Sequence, residues 1–372
     1  MRRAAIYLFF DPQGQVDEYV TYKLKRLRPH VERLVVVANE PLTGEGLALL
    51  ESVADEVLVR QNVGYDVGAY KDAITHVGLE TLAEYDELVL LNYTFFGPIG
   101  SFDELFAKME AKEIDFWGVT DHGEVRPNPV RNAPDPSVLP RHIQSTWIAV
   151  RQRMLQSKVF AQYWREMPPI TSYDDSVQYH EARFTQFFER RGFTSSVAFP
   201  ESNYDSRNPS LDHADLLLLD GCPIVKRRAF FMDPVHMERE AILGRRTLET
   251  LERSGYPMEL IWRNLVRSTP ARTLITNLSL VEVLDDHENE VTDPPRIAVV
   301  AHLFYVDVVQ EVMSRLAHIP VPYDLFVTTS DQAKASAIRA LIGDRVPGSL
   351  EVRVVESNAG RDISAFLVAC KD

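Results

Sequence analysis

The sequence predicts an α/β protein built on a mostly parallel sheet flanked by helices, and three observations carry that prediction. Short apolar runs of strand length alternate with stretches whose apolar residues fall at helical spacing. The loops that follow the runs open with polar or small residues. The opening pattern also returns near the end of the chain.

Taken in order, "AAIYLFF" reads as a buried strand, and Val16, Tyr19, Val20, Leu24 and Leu27 form the apolar face of the helix after it. "RLVVVAN" is the second strand, "GEGLALLESVA" the core of the second helix, and "EVLVRQ" the third strand, followed by a helix after Gly68. "ELVLLN", ending at Asn92, is the fourth strand. Strands separated by helices require right-handed crossovers, which cover both faces of a parallel sheet. "DFWGVT" leads into the Pro-rich "DHGEVRPNPVRNAPDPSVLPRH", whose length is that of a lid or binding loop. Next come the strand "STWIAVR", a helix around "SKVFAQYWREM", and the long helix "SVQYHEARFTQFFERRG" with Gly192 at its C-cap.

Residues 1–205 therefore read as one α/β domain, and residues 206–284, with stretches such as "MELIWRNLVR", as an accessory helical region. "DDHENEVTDPP", residues 285–295, is acidic and lacks apolar periodicity, so it reads as a linker. Residues 296–372 start a second α/β repeat, in which "YDLFVTTSDQ" echoes "ERLVVVANEP". Asn62, Gly64, Asp66 and Ala69 recur there as Asn358, Gly360, Asp362 and Ala365. The second repeat is incomplete and is expected to be truncated, because an unfinished sheet would expose an edge.

The chain has 372 residues, 45% of them hydrophobic and 25% charged, enough for one full core and part of another. Its formal charge of -14, with no basic stripe, opposes a grip on nucleic-acid phosphates. The two cysteines, Cys222 and Cys370, offer neither a disulfide framework nor a zinc knuckle and fit a reducing, cytoplasmic setting. The first apolar run is too short for a signal segment, and no stretch reads as a transmembrane helix.

In an open parallel sheet, ligands gather at the carboxyl ends of the strands. The loops that begin at Phe10, Asn39, Asn62 and Asn92 therefore matter most. The Asn-x-Gly-x-Asp turn from Asn62 to Asp66 has two readings. As plain architecture, Gly supplies backbone freedom and Asn or Asp caps a helix. As a site, its amides and Asp66 line a nucleotide pocket, with Arg60 and Lys71 close enough to meet a diphosphate. His142 and Gln144 precede a buried strand, from which polar side chains can reach a sugar acceptor. The spacings of His122, His142 and His180 match no helical metal-ligand pattern.

The segments "NVGYDVGAYKDAI", "LLNYTFFGPIGSFDELF", "DFWGVTDH", "RHIQSTWIAV", "SKVFAQYW", "YHEARFTQFFERRGF", "CPIVKRRAFF", "HLFYVDVV" and "NAGRDISAFL" occur in this order along nearly the whole chain. On them the chain resembles the rhamnan synthesis protein F family, bacterial proteins linked to rhamnose-containing cell-surface polysaccharides. The resemblance implies a nucleotide-diphosphosugar transferase-like fold of GT-A type. It also implies rhamnosyl transfer from a nucleotide-sugar donor to a lipid-linked or polysaccharide acceptor, with peripheral contact at the inner membrane. By the same resemblance, Glu181 in "YHEARF" is the first candidate for the catalytic base and Asp121 the second, while Asn92 and Thr94 face the diphosphate or sugar.

Related sugar-nucleotide enzymes hold Mg²⁺ or Mn²⁺ on carboxylates at the end of the fourth strand, and the family shows an Asn-Asp-Ser type triplet there. This chain has Asn92, Tyr93 and Thr94 instead, so the metal requirement stays open. Tyr93 also keeps a second reading in view, a non-catalytic carbohydrate- or nucleotide-binding partner in a polysaccharide assembly complex.

Overall fold

A computed structural model describes residues 1–130, 133, 135–280, 295–355 and 360–369, and the predicted alternation of strand and helix is its framework. In the first of two compact units, Met1–Glu282, strands β1 (Arg3–Phe9), β2 (Arg33–Asn39), β3 (Glu56–Arg60) and β4 (Glu87–Asn92) are parallel, with β1 at the centre. Tyr7 pairs with Val36 on one side and Leu91 on the other. Every residue of β1 and β4 is buried, as expected of strands covered on both faces.

Alternation along the strands divides the core. Tyr7, Phe9, Val36 and Leu91 face α1 (Glu18–Leu27) and the helices Gly244–Arg253 and Met258–Ser268. Ile6, Leu8, Val37 and Leu90 face α3 (Tyr65–Val77) and the later helices that carry Phe160 and Phe184. Helix α2 (Gly44–Glu51) starts on the side chain of Thr43, which accepts from the Gly46 amide.

The sheet is mostly but not wholly parallel. β6 (Phe116–His122) does not sit next to β4, because β8 (Trp147–Arg151) is inserted antiparallel between them. β7 (His142–Ile143) pairs antiparallel with the end of β6, and β9 (Ser195–Phe199) runs parallel to it. Two shorter strands, β5 (Phe95–Phe96) and β10 (Val225–Lys226), form a separate antiparallel ribbon. That ribbon fastens the segment after residue 222 to the loop that leaves β4.

The helical stretch is clamped to the first strand-end loop. Arg267 bonds Asp11 and Asp17, each at 2.6 Å, and Asn264 donates to Asp17 at 2.6 Å. The carboxamide oxygen of Asn264 accepts from Arg227 at 2.8 Å, so the clamp reaches β10.

In the second unit, Val283–Asp372, β11 (Ile297–His302), β12 (Tyr323–Thr329) and β13 (Leu350–Val354) are parallel and adjacent in chain order, as β1, β2 and β3 are. Arg361 has φ of +50°, close to the +54° of Tyr65, so the echoed turn also shares a left-handed residue. Asn358 and residues 285–294 of the acidic stretch lie outside the described residues. Among the described residues no helix is long and apolar enough to cross a membrane.

Candidate active site

The carboxyl ends of β1, β2, β4 and β6 open on one cleft of about 1570 Å³. Its first wall is the turn from Asn62 to Asp66. Gly64 and Tyr65 both take left-handed backbone angles, with φ of +81° and +54°, which swings the chain sharply into α3. A side chain at Gly68 would lie 2.3 Å from the Val63 carbonyl, so the turn closes only over glycine. Buried Asn39 braces it from behind, donating to Asn62 Oδ1 at 3.1 Å and to the Tyr65 carbonyl at 2.9 Å.

Asp66 lies in the first turn of α3 and looks into the cleft. Its Oδ1 accepts from the Val67 amide at 3.0 Å, and Ser145 Oγ lies 3.5 Å from its Oδ2. Across from it, Glu181 Oε1 accepts the Ser145 amide at 2.9 Å and the Ser145 hydroxyl at 3.1 Å. Burial, reinforced by the Glu181 charge, lifts the Asp66 carboxyl to about 6. Burial also pushes Glu181 up, but His142, Lys226 and the two Ser145 bonds outweigh it and hold Glu181 below the ordinary glutamate value. Two carboxyls pushed apart in this way are the usual mark of divided acid and base roles.

Glu181 reaches Ser145 because the helix around it is not regular. Val177–Glu181 forms a π-helical turn, and the extra residue per turn rotates the following face. Beneath it His180 is fully buried, with Nδ1 2.9 Å from the Tyr163 hydroxyl, and burial lowers its pKa to about 4.

The loop after β4 is self-contained. Asn92 Oδ1 accepts from both the amide and the hydroxyl of Thr94, at 3.1 and 2.6 Å. Tyr93 packs edge-on against Phe9 and Phe10, and its carbonyl accepts from Tyr19 at 3.1 Å. Below it Lys23 is fully buried, its Nζ 3.4 Å from the Asn92 carbonyl and 3.6 Å from the centre of the Phe95 ring. Burial lowers its pKa well below that of a free lysine.

Opposite lie Lys226, Arg227 and Arg228. Lys226 pairs in register with Phe95, and the Arg227 amide donates to the Thr94 carbonyl at 2.9 Å. Burial lowers Lys226 to about 8, Glu181 opposing the shift and Arg228 adding to it. Arg228 and Tyr173 both line the cleft. At the other side His122 and His142 stack at 5.2 Å. His142 Nδ1 meets the Pro140 carbonyl at 2.7 Å and must carry the proton, which leaves Nε2 as an acceptor. Gln144 accepts from Thr120 at 2.6 Å and donates to Asn208 at 2.9 Å.

The sequence profile described as rhamnan synthesis protein F matches residues 34–372. The chain belongs to the rhamnan synthesis protein F family. The uncharacterized protein y4gN of Sinorhizobium fredii is 24% identical over 220 residues, which cover 56% of this chain and 54% of that protein. The virulence protein VirA of Vibrio anguillarum is 26% identical over 161 residues, covering 41% and 47% respectively. The chain thus spans about half the length of these curated relatives.

Similar solved structures include the glycosyltransferase GlyE of Streptococcus pneumoniae, at 10% identity and TM-score 0.31, covering 96% of this chain and 82% of that one. Core-mannan synthase A of Aspergillus fumigatus, in its Mn/GDP form, has 10% identity and TM-score 0.27, covering 44% and 63%. A cytidylyltransferase of Leptospira borgpetersenii has 11% identity and TM-score 0.32, covering 59% and 87%.

In this rhamnan synthesis F chain the cleft gathers Asn62, Asp66, Asn92, Thr94, His142, Gln144 and Glu181. Four other candidate site residues, Arg60, Gly64, Lys71 and Asp121, do not line it. Arg60 is an internal strap, bonded at 2.7 Å to Asp72, Asn39 and the Val63 carbonyl. Gly64 shapes the turn from behind, and Lys71 lies on α3 outside the lining. Asp121 is buried and accepts from Arg141 and from the Glu201 amide, both at 2.7 Å. Ser145, Lys226 and Arg228 enter the site without having been predicted. The three consecutive bases of "CPIVKRRAFF" were a visible signal, but their segment read as accessory helix.

The residues present do not fit Mg²⁺ or Mn²⁺ at the end of β4. Asn92 Oδ1 and Thr94 Oγ1 are bonded to each other, an aromatic ring takes the carboxylate position, and the paired strand brings in cations. Among the described residues no three His, Cys, Asp or Glu side chains are grouped to hold a metal ion.

Proposed function

We propose that this cleft transfers a glycosyl group, rhamnose by the family's association, from a nucleotide-activated donor to a hydroxyl of a lipid-linked or polysaccharide acceptor. The opposed pair of Glu181 and Asp66 around Ser145 is the observation that carries this reading. The reaction takes place on the cytoplasmic side of the inner membrane, where the chain meets its acceptor peripherally.

Glu181 is the base. Its lowered pKa keeps it ionised at neutral pH, and the two bonds from Ser145 fix Oε1, leaving Oε2 to take the acceptor proton. The acceptor oxygen attacks the anomeric carbon while the bond from that carbon to the diphosphate breaks. Asn62 and Asp66 hold the nucleotide side, with Gly64 setting the turn and Arg60 bracing it. Asn92 and Thr94 face the diphosphate and sugar, His142 and Gln144 the acceptor. Asp121 positions the end of β6 through Arg141, and Lys71 has no part in the cleft.

The test is release of nucleoside diphosphate from nucleotide-activated rhamnose by the purified chain, with and without acceptor. Turnover that falls about 10²- to 10⁴-fold in Glu181→Gln supports the reading. Donor binding without turnover would favour the non-catalytic partner, for which Tyr93 in the carboxylate position speaks. No binding at all would overturn both.

A further inference from the structure

Every glycosyl transfer from a diphosphate donor must stabilise the negative charge that grows on the leaving phosphate oxygen. At the end of β4 the donor set does not suit a divalent cation, yet the same place is not left without positive charge. The β5–β10 ribbon sets Lys226 opposite Phe95, and the Arg227 amide is bonded to the Thr94 carbonyl at 2.9 Å. Three consecutive cationic residues are thus laced by backbone pairing to the loop whose carboxylate is missing.

The three are not equivalent. Arg227 is engaged below, donating to Asn264 at 2.8 Å and lying 5.6 Å from the centre of the Tyr93 ring. Lys226 and Arg228 both line the cleft, and among the described residues neither makes an ion pair within 4 Å. Their charges remain available to an anionic ligand. Glu181 is the carboxylate that faces Lys226, and it is held by Ser145. Of the acids farther along the cleft, Asp212 faces His236 at 3.4 Å and Glu240 faces Arg239 at 2.7 Å.

We propose that Lys226 and Arg228 neutralise the leaving diphosphate in place of a divalent cation. This rests on the reading of the cleft as a nucleotide-sugar site and names its leaving-group machinery. As the bond from the anomeric carbon to the phosphate oxygen breaks, its electron pair passes to that oxygen. The ammonium and guanidinium groups donate hydrogen bonds to it, and the acceptor proton goes to Glu181. Both side chains come from residues far along the chain, so they act there only because the ribbon holds them.

The test is calorimetric titration of the full chain with UDP, GDP and dTDP in EDTA, then in Mg²⁺. At least one diphosphate is expected to bind in EDTA, with affinity unchanged by the metal within about twofold. Lys226→Gln and Arg228→Gln are each expected to weaken it by about 10- to 100-fold, while Lys226→Arg retains most of it. Circular dichroism and thermal melting identify any variant that fails to fold, for which Lys226→Met and Arg228→Met, which keep an apolar stem and remove the charge, serve instead. Binding that appears only with Mg²⁺, or folded Gln variants that bind as wild type does, would overturn the inference and leave the glycosyl-transfer reading standing. No binding in either buffer would overturn both.

Discussion

Ser145 Oγ lies 3.1 Å from Glu181 and 3.5 Å from Asp66, so one hydroxyl stands between the two carboxyls of the cleft. The hydroxyl has a single proton and gives it to the closer, ionised Glu181. Asp66, whose carboxyl titrates near 6, can itself donate to the same oxygen when protonated. The three groups thus form a chain whose polarity depends on pH.

Removing the hydroxyl should show in the pH profile. In Ser145→Ala, Glu181 keeps the backbone N–H but loses one bond to its charged form, so its pKa rises. The acid limb of kcat/KM is expected to move to higher pH, with a loss of about tenfold at neutral pH, the scale of one hydrogen bond to a charged group. A limb that stays in place would remove Ser145 from the account.

Asp66 should carry a cost in stability. Its folded value of about 6 lies above the ordinary 3.8, so between these values the folded state binds more protons than the unfolded. Stability from this group is therefore greatest below pH 4 and is lost as pH rises through 6. Asp66→Asn is expected to flatten that slope and to raise stability at pH 7 by about 2 kcal/mol, discounted for the part of Asp66 open to the cleft. Urea denaturation at pH 4, 5, 6 and 7 measures it.

Lys23 should act in the opposite sense. Its folded pKa is lowered by burial, so below pH 10.5 the unfolded chain binds the extra proton and stability rises with pH. Lys23→Met fills the same space without an amine to bury. Its melting temperature is expected to match or exceed that of wild type at pH 7, with the advantage shrinking toward pH 10. An advantage that grows with pH would contradict the assignment.

Arg267 joins Asp11 to Asp17, and through Asn264 the same cluster reaches Arg227. Arg267→Ala leaves two partly buried carboxylates without their cation. A loss of about 2 to 4 kcal/mol is expected by chemical denaturation. The nucleoside diphosphate binding expected of Lys226 and Arg228 should weaken too, because the ribbon loses its support.

Much of the scaffold could be read from residues alone, because its signals are local. The runs Ala4–Phe9, Arg33–Asn39 and Glu87–Asn92 are largely apolar strands, and Gly64 in the Asn62–Asp66 turn announces its backbone. What could not be read depends on pairing across long stretches of chain. β8 sits antiparallel between β4 and β6, and nothing in "STWIAVR" states its neighbours. Lys226 and Arg228 join the site through a ribbon of two residues per strand, too short for any periodicity. The π-turn that aims Glu181 has the composition of an ordinary helix. Arg60 looked free beside its motif, and only the fold brings Asn39 and Asp72 to it.

The most direct test of the whole account is single-turnover transfer from nucleotide-activated rhamnose by wild type and Glu181→Gln, with donor affinity measured in parallel. Transfer that drops at least 100-fold in the variant, with donor affinity unchanged within a few fold, is the predicted result. Equal transfer by both proteins would contradict the assignment of Glu181 as the base.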